Sequence, residues 1–159
     1  MNHQNLSASG RFRLTLCRAD NGRPIRQLDV CNRLTEFHRS FRNALLTGSV
    51  DGYSLGDLQL KYFAFGDGVS EASAKDVGLE NERFRKQITS ISLQDGAVRS
   101  ICNLGAGEAN FHITEIGVFG GPDATAELGS GRLLGRVNVN VDKNENLVLN
   151  VVRIDSTDI

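Results

Sequence analysis

The stretch LLGRVNVNVDKNENLVLNVVRI, residues 133–154, decides the fold. Val137, Val139 and Val141 alternate with polar residues, and Leu147, Leu149 and Val151 resume the alternation beyond Asp142-Lys143-Asn144-Glu145. A period of two places one set of side chains on a buried face, which is the mark of a half-buried strand. Two such runs around a short polar turn read as a β-hairpin.

The same period recurs upstream. Phe12, Leu14 and Leu16 alternate with Arg11, Arg13, Thr15 and Cys17, and Asp20-Asn21-Gly22-Arg23 follows. Asn-Gly suits the two positive φ angles of a type I′ turn, so Ile25–Val30 is expected to return as a second strand with Cys17 facing Arg26. That register keeps Cys17 away from Cys31. Three cysteines (Cys17, Cys31, Cys102) at wide spacing, with no CxxC, read as free thiols and not as a disulfide framework.

One segment has a helical period. Leu34, Phe37, His38, Phe41 and Leu45 form a single apolar stripe. Asn32 or Thr35 suits the N-cap, and Gly48 suits a left-handed stop. His38 reads as a packed, hydrogen-bonded histidine. Further strands are expected at Leu58–Phe65, Lys86–Leu93, Ala97–Leu104 and Phe111–Phe119, with a turn at Gln94-Asp95-Gly96. The charged run Leu79–Arg85 reads as a helical turn or an extended edge. Phe111–Phe119 is apolar on both faces, so both faces, His112 included, are expected to be buried. Most connections are too short for βαβ crossovers. The expected class is mainly β: an antiparallel β-sandwich of about eight strands with one amphipathic α-helix over residues about 33–47. Residues 1–10 read as a flexible N-terminal arm and residues 11–159 as a single domain.

A chain of 159 residues can bury roughly 70% of its unfolded surface, so no disulfide or metal is needed to staple it. No apolar run has the roughly 20 residues of a membrane helix, and Met1–Gly10 lacks a signal-peptide core. We therefore expect folding in a cytoplasm, with no membrane partner. Residues 1–50 hold eight arginines and no lysine against three acids, while the remainder is acidic in balance. Such asymmetry suits an acidic neighbour, and arginine suits planar, bidentate contacts. Arg11, Arg13 and Arg26 are the candidate interface residues.

Chemistry is harder to find. There is no HxH or HExxH for a metal and no GxSxG for an acyl nucleophile. Gly129-Ser130-Gly131-Arg132-Leu133-Leu134-Gly135 opens a strand and has no helix N-terminus to receive a pyrophosphate. Gly66-Asp67-Gly68 lacks the repeated acids of a calcium loop. Glu115, in a strand between Thr114 and Ile116, requires a partner if buried, and reads as a carboxylate bonded to backbone N–H groups or an arginine. No catalytic, cofactor-binding or metal-binding residue is expected, and neither a cofactor nor a small-molecule substrate. The arginine-rich hairpin lacks the exposed aromatics that stack bases, which argues against nucleic acid.

Two stretches carry a resemblance. One is Tyr62-Phe63-Ala64-Phe65-Gly66-Asp67-Gly68 with the later Leu79-Glu80-Asn81-Glu82-Arg83-Phe84-Arg85-Lys86. The other is Phe111-His112-Ile113-Thr114-Glu115-Ile116-Gly117-Val118-Phe119, followed by Leu133-Leu134-Gly135-Arg136-Val137. Together they resemble tail-fibre, tail-collar and baseplate proteins of tailed bacteriophages. The chain departs from long fibres in having no shaft. The resemblance implies a structural virion protein, an assembly module such as a fibre adaptor, collar or baseplate component. It would be assembled in the host bacterial cytoplasm and bind copies of itself, as a trimer or hexamer, and other tail proteins. The alternative is a receptor- or carbohydrate-binding β-sandwich, for which Tyr53 is the loop aromatic to test.

Overall fold

The computed structural model describes residues 9–49 and 51–156. Its strands are β1 (Ser9–Arg18), β2 (Pro24–Cys31), β3 (Arg33–Leu34), β4 (Leu60–Gly66), β5 (Glu82–Gln87), β6 (Ser90–Gln94), β7 (Ala97–Leu104), β8 (His112–Gly120), β9 (Arg132–Asp142) and β10 (Leu147–Ser156). The one α-helix among the described residues, α1 (Glu36–Thr47), follows β3, and a 3-10 turn covers Leu55–Leu58. Two antiparallel five-stranded sheets result: the first in the order β2-β1-β10-β7-β6, the second β3-β9-β8-β4-β5. This is the expected sandwich with one helix. The expected arm over residues 1–10 falls mostly outside the described residues; its last two, Ser9 and Gly10, pair in β1 with Ser156 and Asp155.

The stretch at 133–154 forms two strands but no hairpin. β9 pairs with β8 and β3 in the second sheet, whereas β10 pairs with β1 and β7 in the first. The chain arches from one sheet to the other through Lys143, whose buried ammonium donates to Asn110 Oδ1 at 2.9 Å and the Asn144 carbonyl at 3.2 Å. Val137 and Val141 therefore meet Leu149 and Val151 across the core, not along a ladder. Alternation is the same for both arrangements, because it records which face is dry and not which edge is paired. The chain changes sheets again between β5 and β6. Ile88 N–H donates to the Lys61 carbonyl of the second sheet, and Thr89 N–H to Ile101 of the first, each at 2.8 Å.

The turns also differ from the expectation. At Asn21-Gly22 only Gly22 has positive φ (68°), and Gly22 N–H closes on the Arg18 carbonyl at 2.9 Å. Leu16 stands opposite Arg26, and Cys17, past an irregularity, opposite Pro24. The two positive φ angles of a type I′ turn occur instead at Asp95 (51°) and Gly96 (75°), between β6 and β7. All three cysteines are free.

The helix begins at Glu36 and not near 33, because Arg33 and Leu34 extend the second sheet by pairing with Arg136 and Gly135. Thr35 is its N-cap: Thr35 Oγ1 accepts from His38 N–H at 3.3 Å and donates to the Leu133 carbonyl at 2.8 Å. Gly48 ends it at φ 71°. Phe41 is buried, whereas Leu45 is exposed, so the dry stripe is narrower than its sequence period.

The core lies between the sheets. Phe12, Leu14, Cys102, Leu149 and Val151 face Phe63, Phe65, Ile116, Val118 and Val137. The Phe12 and Phe63 rings meet across the gap, with centroids 5.7 Å apart. Close-packed interiors of this kind fix side-chain positions, so they orient whatever projects from the outer faces.

Candidate functional site: a buried carboxylate under a loop

Glu115 projects from the outer face of the second sheet, yet its side chain is fully buried. An irregularity in the β8–β9 ladder between Ile113 and Glu115 re-aims β8, so that Ile113 and Ile116 both reach the core while Glu115 turns outward. The loop between β4 and β5 folds over it. Glu115 Oε1 accepts from the N–H groups of Gly68 (3.1 Å) and Asn81 (2.8 Å), and Oε2 from Glu80 N–H (3.0 Å). Arg136, opposite Gly117 on β9, supplies the counter-charge: its Nε donates to Oε2 at 2.9 Å.

The arginine holds the loop as firmly as the carboxylate does. Arg136 Nη1 donates to Asp76 Oδ2 at 2.8 Å, and Nη2 to the Ser70 carbonyl at 3.0 Å. Beside it Asn138 donates to the same carbonyl (2.8 Å) and accepts from Ala72 N–H (2.6 Å). Thr114 Oγ1 donates to the Gly68 carbonyl at 2.6 Å. Backbone must come this close for the cluster to exist. A Cβ on Gly66 would lie 2.4 Å from the Asn81 carbonyl oxygen and 2.5 Å from Glu115 Oε1, and one on Gly68 2.5 Å from the same carboxylate oxygen. On the loop surface the Ser70 N–H, donating to Glu80, holds that carboxyl below its ordinary range.

A second buried ion pair secures a second loop on the same face. The Arg85 side chain is bonded to Glu82 (Nε–Oε1 2.6 Å) and to the Ser130 carbonyl (2.6 Å), with its guanidinium 4.2 Å from the Phe119 ring centroid. The Gly-rich loop after β8 is thereby drawn onto the sheet. A buried charge is costly unless paired and hydrogen-bonded, and both pairs meet that requirement. Their donors and acceptors are turned toward backbone and each other, which suits anchoring.

The remaining sequence candidates are dispersed. Arg11 and Arg13 lie on the outer face of the first sheet, opposite the side that buries Phe12 and Leu14. Arg13 Nε donates to Asp29 Oδ1 at 2.9 Å, which raises Arg13 and lowers Asp29. Arg26 projects from the other face of β2, where its Nη1 donates to the Asn140 carbonyl at 2.9 Å and links β2 of the first sheet to β9 of the second. The three arginines thus form no single patch. His112, expected to be buried, is exposed at the start of β8 and bonded to Asp142. His38 is half-buried, its Nδ1 3.3 Å from the Leu134 carbonyl oxygen; burial, with charge repulsion from Arg153 and Arg42, pushes it down to about 4. His3 lies outside the described residues. Tyr53 packs on Phe41 and Phe37, with centroids 4.9 and 6.0 Å away.

Arg136 and Arg153 escaped sequence reasoning. Arg153 continues the inward alternation of Leu149 and Val151, lies 6.0 Å from the Phe12 ring centroid and is fully buried, with Nη2 2.6 Å from Asp155 Oδ1. In a strand a guanidinium reads as wet: Arg153 follows the inward alternation of Leu149 and Val151, and Arg136 falls on the polar side of the Val137, Val139 and Val141 run, so neither carries a signal of burial. Among the described residues no three His, Cys, Asp or Glu side chains gather as a metal site requires, and no helix is long and apolar enough to cross a membrane. Comparison with family models, with curated proteins and with solved structures finds no match.

Proposed function

We propose that the protein is a structural part of a bacteriophage-type tail, a fibre adaptor, collar or baseplate component that acts in the virion through protein–protein contacts and not by catalysis. One observation carries this reading. The stretches that bear the resemblance (Tyr62–Gly68, Leu79–Lys86, Phe111–Phe119 and Leu133–Val137) are far apart in the chain, yet they converge on Glu115 through Gly66, Gly68, Glu80, Asn81 and Arg136. What they share is a way of building: a loop locked onto a sheet by one buried carboxylate. A loop held rigid in this way presents a fixed surface, which supports a role in protein–protein contact.

Arg11 and Arg13 are the candidate contacts for an acidic neighbour, on a sheet face that also carries Val152 and Ile154 half-buried. Arg26 already holds Asn140 and contributes less. The carbohydrate-binding alternative requires an aromatic platform, and Tyr53 packs its ring on Phe37 and Phe41.

The test is mass spectrometry of tailed particles purified on a density gradient from the bacterium that carries the gene. The protein is expected there at a fixed copy number, and deletion of its gene is expected to leave particles without functional tails. Clean particles that lack it, or a deletion strain with normal tails, would overturn the proposal.

A further inference from the structure

A sheet edge is a row of half-used peptide groups, and proteins guard such rows with proline, charge or cover. Among the described residues, three of the four edges are guarded. β2 carries Pro24, Arg26 and Asp29; β5 carries Glu82, Arg83, Arg85 and Lys86; β3 is two residues long. β6 is not. Its sequence, Ser90-Ile91-Ser92-Leu93-Gln94, has no charge and no proline, nor have Ile88 and Thr89 before it. Every residue of β6 is exposed, Leu93 by 77% and Ile91 by 50%. Within the described chain β6 pairs only with β7, so its other side is open.

The strand is also self-complementary. Ile91 stands opposite Ser100 and Leu93 opposite Val98, so both side chains project on the core side of the first sheet, beyond the reach of the second. If β6 meets β6 of another copy antiparallel about a two-fold axis at Ser92, Ile91 falls opposite Leu93 twice, Ser90 opposite Gln94, and Ser92 opposite itself. No charge opposes another, and the four apolar side chains gather on one face of the seam. Cross-strand apolar pairs stabilise a ladder, whereas opposed like charges weaken it.

We propose that β6 is the interface for a second copy of this chain, joining two first sheets into one ten-stranded sheet with two-fold symmetry. This deepens the assembly reading by naming a partner and a surface: a two-fold seam fits a hexamer made of three dimers and not a simple trimer.

The test uses the full chain with Cys31→Ser, which removes the exposed thiol. Light scattering is expected to give a dimer at micromolar concentration. Ile91→Lys with Leu93→Lys, at positions that stay at least half exposed in the monomer, is expected to weaken dimerisation by at least ~30-fold while thermal unfolding still reports a folded domain. Ser92→Cys should crosslink to its own copy under mild oxidation, because directly opposed Cα atoms lie about 4.5–5.5 Å apart, within disulfide range. Ser90→Cys, four residues from its counterpart, should crosslink at least roughly tenfold less. A monomeric parent, a dimer indifferent to the lysines, or equal crosslinking at both positions would overturn the interface. A dimer missing from tailed particles would overturn the tail reading and leave this seam standing; a monomer found in particles would do the reverse.

Discussion

Arg136 Nη2 lies 2.8 Å from Glu115 Oε2, with both side chains almost wholly buried on a sheet face that would otherwise be the outside of the molecule. The pair turns the loop between β4 and β5 into a third layer. Removing one member leaves the other charged, buried and short of partners. Glu115→Gln is expected to destabilise the fold by about 3 kcal/mol or more. Urea denaturation would measure it; a loss below about 1 kcal/mol would show that the carboxylate is not the anchor.

The glycines beneath the loop make a sharper contrast. Gly66→Ala places a methyl 2.4 Å from the Asn81 carbonyl oxygen, so the loop must lift, at an expected cost of about 1–3 kcal/mol. Gly78, in the same loop, faces open space at an ordinary φ. Gly78→Ala is expected to be neutral or to stabilise by roughly 0.4–1 kcal/mol through the unfolded chain. Limited proteolysis should cut the 67–81 segment faster in the first variant only.

Acid should weaken the domain through His38. Its folded value is about 4 against an ordinary 6.5, so between those values the unfolded chain binds more protons. The stability it contributes is complete above pH 6.5 and is lost as pH falls toward 4, by about 3 kcal/mol in all. Asp155, raised by burial, acts in the opposite sense as pH climbs past 3.8. The difference between the parent and His38→Gln isolates the histidine: urea midpoints of the variant should fall less steeply from pH 7 to 4. Equal slopes would refute the assignment.

The thiols differ in reach. Cys31 is exposed, whereas Cys17 and Cys102 are buried, and burial pushes Cys102 up to about 11. A chromogenic thiol reagent should titrate one cysteine per chain in the native state and three after denaturation. Two fast thiols would show that the β1 or β7 face opens in solution.

The strands and the helix were legible because each buries one face, and burial writes a period into the sequence. Phe12, Leu14 and Leu16 declare a strand without reference to anything distant. Pairing was less legible. The valines of β9 and the leucines of β10 keep the same alternation whether they share a ladder or face each other across a core, so the arch at Lys143 read as a hairpin. The Glu115 cluster was half visible: a carboxylate between Thr114 and Ile116 demands partners, but Gly68, Asn81 and Arg136 are brought to it by tertiary structure alone. Arg153 was invisible, since a guanidinium in an alternating strand is read as wet.

Among the described residues, Ser9 and Ser156 face one another as the outermost pair between β1 and β10. The first and last described residues thus stand side by side at one end of the first sheet. A unit cut at such adjoining positions, residues 9–156, suits insertion into a loop of a foreign polypeptide, where the host need only bridge one short gap.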